Sequence, residues 1–282
     1  MSLCKIDTRL GSSRTALTLL SNALLVMPLM LCIGLNQPTR AQNSRTIAQL
    51  GNAPFTTPQV VENLVVKNLE RAHALRAYRG TRIYHVEYRG LGGTRSAEMV
   101  VDVNYRAPGT KEFTVRSATG SKMIIDKVFN RLLEAEQQAL AVEAQKRAAL
   151  NSDNYEFTMV GYESTPFGSM YVLMVEPKTK DQFLYRGRIW VDAEDFAVVR
   201  LLAEPAKNPS FWTKKSDLEQ VYVKVNGFWL PTHNRSVSSI RLGGRDELTI
   251  QYTNYQITAA DPVGNLSTLK ASQPEDARRL YP

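Results

Sequence analysis

The chain has 282 residues, 43% of them apolar and 22% charged, with a formal net charge of +8. That is the composition of a globular protein with one large or two small domains. Its basic residues form no Lys/Arg block and no basic helix interleaved with aromatics, which argues against nucleic-acid binding.

Lys5, Arg9 and Arg14 precede an almost wholly apolar run, Ala16 to Leu35, which closes on "NQPTRAQ" with Ala41 at a cleavage position and Thr39 two before it. This is the layout of a secretory signal peptide, expected over residues 1–41. The run is also about long enough to span a bilayer, so an uncleaved anchor stays open. No twin-arginine pair stands before it, which favours a Sec-type route to the periplasm. The leader holds four basic residues against one acidic one, so the remainder carries +5 of the +8. Both cysteines, Cys4 and Cys32, lie in the leader. Leu31 stands where lipid attachment to Cys32 needs a small residue. A mature chain without cysteine has neither disulfides nor thiolate metal sites, and rests on its core.

Residues 42–56 are polar and read as a flexible linker. Thr57-Pro58 opens a helix, with Thr as N-cap and Pro at the first helical position. Val60, Val61, Leu64, Val65 and Leu69 continue it at helical spacing to about Ala77. The period then changes to two. Residues 79–90 place Tyr84, Val86 and Tyr88 on one face. Residues 95–106 place Ala97, Met99, Val101, Val103 and Tyr105 on one face and Glu98, Asp102, Asn104 and Arg106 on the other. "LGG" (91–93) and "APGT" (107–110) are the turns, and 111–118 is a third strand.

Residues 121–150 return to helical spacing from about Ile125 (Ile125, Val128, Phe129, Leu132, Leu133) and end at "NSDN". The Ala-rich second half is weakly apolar and suits loose or edge packing. After Asn154 strands are expected over 155–163, 168–176, 182–192, 196–203, 216–225, 228–240 and 245–257. The tail, 261–282, is polar and reads as a disordered end or a last edge segment. The sum is a mainly β, α+β domain over 57–260: an antiparallel sheet of about ten strands that must curl or close, since a flat sheet of that width is unfavourable. A helix, or two, must cover the apolar lining of its concave side or leave it exposed to ligand.

Chemistry-bearing patterns are sparse. His73, His85 and His233 have no metal-ligand spacing, and no nucleophile elbow is present. Asp192, Glu194 and Asp195 fall between two alternating strands, where carboxylates satisfy turn backbone. "GLGG" (90–93) sits in a hairpin and lacks the strand-to-helix context of a phosphate loop. No catalytic residue, metal or cofactor is expected. The aromatic residues spread across the strands suit either an ordinary β-core or a lining for acyl chains, which need apolar volume rather than a motif.

The order of leader, helix ending in "LRAY", meander, helical insert and second meander with "YVLMVEP" and "YRGRIWVDAEDFAVVR" resembles the outer-membrane lipoprotein-sorting proteins, the LolA/LolB superfamily. The likeness runs over roughly residues 57–258, and "YRGRIWVD" (185–192), "NPSFW" (208–212) and "FWLP" (228–231) resemble a longer branch of it. It implies an incomplete antiparallel β-barrel of about ten strands, with the N-terminal helix and the inserted long helix as a lid over an apolar cavity that takes the lipid chains of a lipoprotein, without catalysis or metal. Candidate lining residues are Tyr84, Val86, Tyr88, Met99, Val101, Val103, Tyr105, Phe157, Met159, Val172, Met174 and Trp190. The family's lid-holding Arg maps onto Arg106 of "YRAPGTKEF", although Ala107 intervenes before Pro108. The expected partners are lipoprotein acyl chains or other lipids, with an inner- or outer-membrane protein as a further candidate. An alternative is an envelope regulatory or scaffold module of the same fold that senses lipid or binds a protein.

Overall fold

The computed structural model describes residues 53–90, 92–165, 168–207, 213–240, 243–260 and 266–270. The expected leader, most of the linker, "NPSFW" and the end of the tail lie outside the described residues.

Helix α1 (Thr57–Ala74) starts one residue earlier than its Pro suggests. Thr56 is the N-cap, and the Gln59 side-chain oxygen accepts from both its backbone N–H and its hydroxyl at 2.9 Å. This closes the first turn from both sides. The helix passes into β1 (Leu75–Gly90) without a loop. β1 therefore begins four residues before the alternation becomes visible. Its first turn of chain is drawn out by pairing, Leu75 opposite Ala259 and Tyr78 opposite Ile257.

β2 (Gly93–Arg106) and β3 (Thr110–Gly120) complete the first meander. The expected single long helix is instead a broken one. It consists of α2 (Lys122–Ile124), a π-helical turn (Ile125–Phe129), α3 (Asn130–Gln138) and, after a break at Ala139–Ala141, α4 (Val142–Ala148). Only the first part has a continuous apolar face, with Ile124, Phe129 and Leu132 buried. The Ala-rich part has too little to bury to hold one axis. α4 ends where expected: Asn154 donates to the carbonyls of Lys146 and Ala149 at 2.9 and 2.8 Å.

The second meander is β4 (Tyr155–Thr165), β5 (Gly168–Pro177), β6 (Tyr185–Asp192), β7 (Val198–Pro205), β8 (Thr213–Val225), β9 (Phe228–Ile240) and β10 (Gly244–Ala260). β6 starts late, leaving Phe183 and Leu184 buried in the preceding loop. β7 starts late because Phe196 takes φ of 49° in the turn. A further strand, β11 (Leu266–Lys270), pairs with β10, so part of the expected tail is an edge segment.

All strands form one antiparallel sheet in the order β3-β2-β1-β10-β9-β8-β7-β6-β5-β4, with β11 beside the end of β10. The sheet is not closed: β3 and β4 are the ends of this order among the described residues. An open antiparallel barrel with helices over it is thus the observed architecture. Two glycines serve close approach. A Cβ on Gly187 of "YRGRIWVD" would meet the Leu202 carbonyl oxygen at 2.2 Å, and one on Gly80 would meet the Tyr255 ring at 3.2 Å. The "NG" turn at Asn226-Gly227 has positive φ at both residues, as a two-residue hairpin requires.

The register assigns the inner face strand by strand. Tyr84 faces Met99 and Ile250, and Val86 faces Ala97 and Leu248. Leu173 faces Ile189, which faces Leu201. Two apolar clusters form on this face. One joins Val60, Val61 and Leu64 of α1 to Tyr171, Leu173, Val175, Ile189, Val191, Leu201 and Tyr222. The other joins Ile124, Phe129 and Leu132 of the insert to Tyr84, Met99, Val101, Val103, Leu248, Ile250 and Tyr252. The outer face carries cross-strand ion pairs instead, such as Arg200–Glu219 and Arg235–Glu247, both at 2.6 Å.

Candidate functional site

The candidate site is the inner face beneath the helical insert. Of the expected lining residues, Tyr84, Val86, Met99, Val101 and Val103 are buried there, with Tyr105 partly buried at the edge. Tyr88 lies on the same face at the rim, opposite Asp246. Phe157 and Met159 pack against the other cluster, under α1. Val172, Met174 and Trp190 do not join them. They alternate with Tyr171, Leu173, Val175, Ile189 and Val191 and so point to the outer face. Met174 is 40% exposed there. Trp190 stacks under Arg200, 5.2 Å from the ring centre, and donates to Glu163 at 3.4 Å. The run "YVLMV" is apolar at every position, so periodicity alone does not choose its inner face.

Arg106 is also displaced from its expected role. It is exposed at the end of β2, on the outer-face side of the alternation. The insert is held instead by Arg82 and Lys111, both on the inner face. Arg82 grips Glu136 of α3 with two nitrogens, at 2.5 and 3.0 Å. Lys111 Nζ donates to the same carboxylate at 2.7 Å. The Arg82 and Lys111 side chains are 8% and 1% exposed. Arg82 also donates to the Tyr84 hydroxyl at 3.1 Å and lies 5.1 Å from the Tyr252 ring centre.

The electrostatics follow from this enclosure. Burial alone raises the Glu136 carboxyl, but the charges and hydrogen bonds of Arg82 and Lys111 outweigh it and hold it down at about 2. Burial pushes the Tyr84 phenol up to about 12 despite Arg82. Two buried cations share one carboxylate, so the cluster has a positive excess that only the surrounding rings and hydroxyl soften. Breaking such a cluster by removing one member costs far more than its net worth, because the remaining charges stay buried.

Asp192 and Asp195 of "VDAEDF" serve a turn, with Glu194 exposed between them, and that turn does more than reverse the chain. Asp192 Oδ1 accepts from the backbone N–H of Glu194 and Asp195 at 3.0 and 2.7 Å. Asp195 Oδ2 takes the Trp229 indole N–H at 2.8 Å and Lys224 at 2.5 Å. Arg71 near the end of α1 donates to the Asp195 and Phe196 carbonyls at 2.8 and 3.3 Å. The Phe196 ring stacks on Tyr171, centres 6.2 Å apart. The turn is therefore a dock for α1. Among the described residues, no group of three or more His, Asp or Glu is placed to hold a metal ion.

The sequence reading missed a polar strip on the inner face of β8–β10, between the two clusters. Ser216, Gln220, Asn234, Ser236 and Ser238 are all buried there. Asp246 at its rim is raised by burial to about 6, against a hydrogen bond from Ser238.

No protein-family model matches the chain, and no curated protein does either. Similar solved structures include a DUF1329 family protein from Desulfovibrio piger, 15% identical, covering 70% of this chain and 91% of that one at a TM-score of 0.35. A putative outer membrane lipoprotein-sorting protein domain from Vibrio parahaemolyticus is 9% identical, covering 72% and 93% at a TM-score of 0.36. A LolA superfamily protein from Nitrosomonas europaea is 10% identical, covering 71% and 93% at a TM-score of 0.31.

Proposed function

We propose that the chain is a periplasmic carrier that binds lipids or lipoproteins and sequesters acyl chains on its inner face for sorting to the outer membrane. The observation that carries this reading is a broad apolar floor under a slight cover. The insert buries only Ile124, Phe129 and Leu132 among its large side chains against that floor. Burying these three is worth roughly 5–9 kcal/mol. An acyl chain contributes about 0.8 kcal/mol per buried methylene, so ten methylenes supply about 8 kcal/mol. A chain that slides under the insert therefore replaces what it displaces, at little net cost. The Arg82–Glu136–Lys111 cluster marks where the cover must let go. Among the described residues no helix is long and apolar enough to cross a membrane. Binding rather than catalysis is the role, and no cofactor is invoked.

Titration with a lipidated peptide and its lipid-free counterpart tests this. The carrier binds the first and not the second, and Glu136→Gln speeds uptake. If neither the native chain nor that variant takes up the lipidated peptide, the reading fails.

A second reading, a regulatory or scaffold module of the same fold, has one observation in its favour. β3 ends the sheet order, and Thr114–Gly120 are exposed along it, Val115 at 48%. An end strand of this length suits a partner that adds a strand. Pull-down of an envelope protein, lost on a Val115→Pro change with lipid uptake intact, would favour it.

A further inference from the structure

The inner face changes character at its centre. β9 presents Asn234, Ser236 and Ser238 inward, flanked by Gln220 and Ser216 of β8 and Asp246 of β10. Gln220 pairs with Asn234, and Ser216 with Ser238, whose hydroxyls are 3.1 Å apart. These groups are not at the surface: Asn234 and Ser238 are 1% exposed and Gln220 2%. Leu218 and Tyr222 close the row on the α1 side, and Leu248 and Ile250 on the insert side. A central strand with three consecutive inward positions that are polar and buried departs from the apolar inner faces of β2, β5 and β6.

We infer that this row receives a polyhydroxylated headgroup, such as that of a glycolipid, while the chains lie on the apolar floor beside it. This rests on the lipid-binding reading above. The Gln220 Oε1 is buried and accepts no hydrogen bond from any described residue. Such an orphan destabilises the empty state and asks for a donor. The row contains amides, hydroxyls and one carboxylate, and no Lys or Arg. It therefore offers nothing to balance a phosphate, whereas sugar hydroxyls both donate and accept. From the Gln220–Asn234 pair to the Ser238–Asp246 pair is four residues, roughly 13 Å along the strand. A single ammonium or hydroxyl is too small for that length, and one or two linked sugar rings match it.

The test compares two neutral amphiphiles with the same chain on the full-length protein: dodecyl maltoside, rich in donors, and a dodecyl polyethylene glycol ether, which only accepts. Tryptophan fluorescence and calorimetry below the micelle concentration read binding. The maltoside is expected to bind at least about tenfold tighter, the worth of one to two net hydrogen bonds. Gln220→Met and Ser236→Ala should each lower maltoside affinity by about fivefold and leave the ether unchanged. Thermal melts identify a variant that fails to fold, and the second variant then carries the test. Equal affinity for both amphiphiles overturns the inference, and so does a preference that survives both substitutions, since the row then merely holds water. Binding of neither amphiphile overturns the lipid-binding reading itself, a separate and distinguishable result.

Discussion

The two halves of the sheet are roofed in opposite ways. Over β4–β8, α1 lays down Val60, Val61 and Leu64 against aliphatic and aromatic side chains, with a polar anchor, Arg71, at the helix end. Over β1–β3 and β10, the insert pairs three apolar side chains with a buried ion cluster. The aliphatic seal has no partner-specific geometry, and nothing in solution competes for it except other apolar matter. The ionic one is directional and exchangeable, because any acid reaching Arg82 and Lys111 competes with Glu136. One roof is sealed by apolar packing and the other is pinned by charge.

The hardest way to break that contrast is to strip the latch. Glu136→Ala should cost about 3–5 kcal/mol by chemical denaturation, since it strands two buried cations. Hydrogen exchange should show α3 losing protection while α1 keeps it; a loss spread evenly over both would erase the distinction. Leu64→Ala, at 0% exposure, should cost about 2–5 kcal/mol and loosen α1 and β4–β8 instead.

Acidity sharpens the contrast further, because the two most strongly shifted carboxyls, Glu136 and Asp246, move in opposite directions. Glu136 sits at about 2 against an ordinary 4.5, so its contribution is complete above 4.5 and is lost as pH falls through 2. Asp246 sits at about 6 against 3.8, so stability is greatest below 3.8 and declines as pH rises through 6. Melting curves should show Glu136→Gln flattening the first window and Asp246→Asn the second.

Smaller effects follow at the anchors. Arg71→Ala should cost about 1–2 kcal/mol through the lost carbonyl bonds, seen as a lowered melting temperature. Arg106→Ala should stay within about 0.5 kcal/mol, as expected for an exposed residue away from both roofs. A large loss there would restore it as a latch.

The legible parts of the sequence were those with one period and one apolar face. β2 alternates cleanly, and the face its alternation predicts is the buried one, as it is for Tyr84 and Val86 of β1. β5 and β6 failed on face rather than on existence, because Val172 and Leu173 are equally apolar and only the register separates them. The latch was illegible for another reason. Arg82 and Glu136 are 54 residues apart, Lys111 and Glu136 25, and each reads alone as a solvated charge. The polar row was hidden by its neighbours, since "HNRSVSS" is polar on both faces and gives no sign of burial. The carboxylates of "VDAEDF" were legible as a turn, but their dock for α1 was not.

The direct join of α1 to β1 has a consequence for the order of assembly. β1 lies between β2 and β10, and its pairing of Arg89 with Arg245 spans 156 positions, whereas all other neighbours within the main order are consecutive in the chain. The hairpins can form as the chain emerges, but this seam must wait for β10. α1 is fastened to β1 on one side of the seam and docks on strands from the other. Its apolar stripe stays uncovered until the strands of the second meander that it docks on have formed, and exposed apolar surface of this kind invites mispairing during folding.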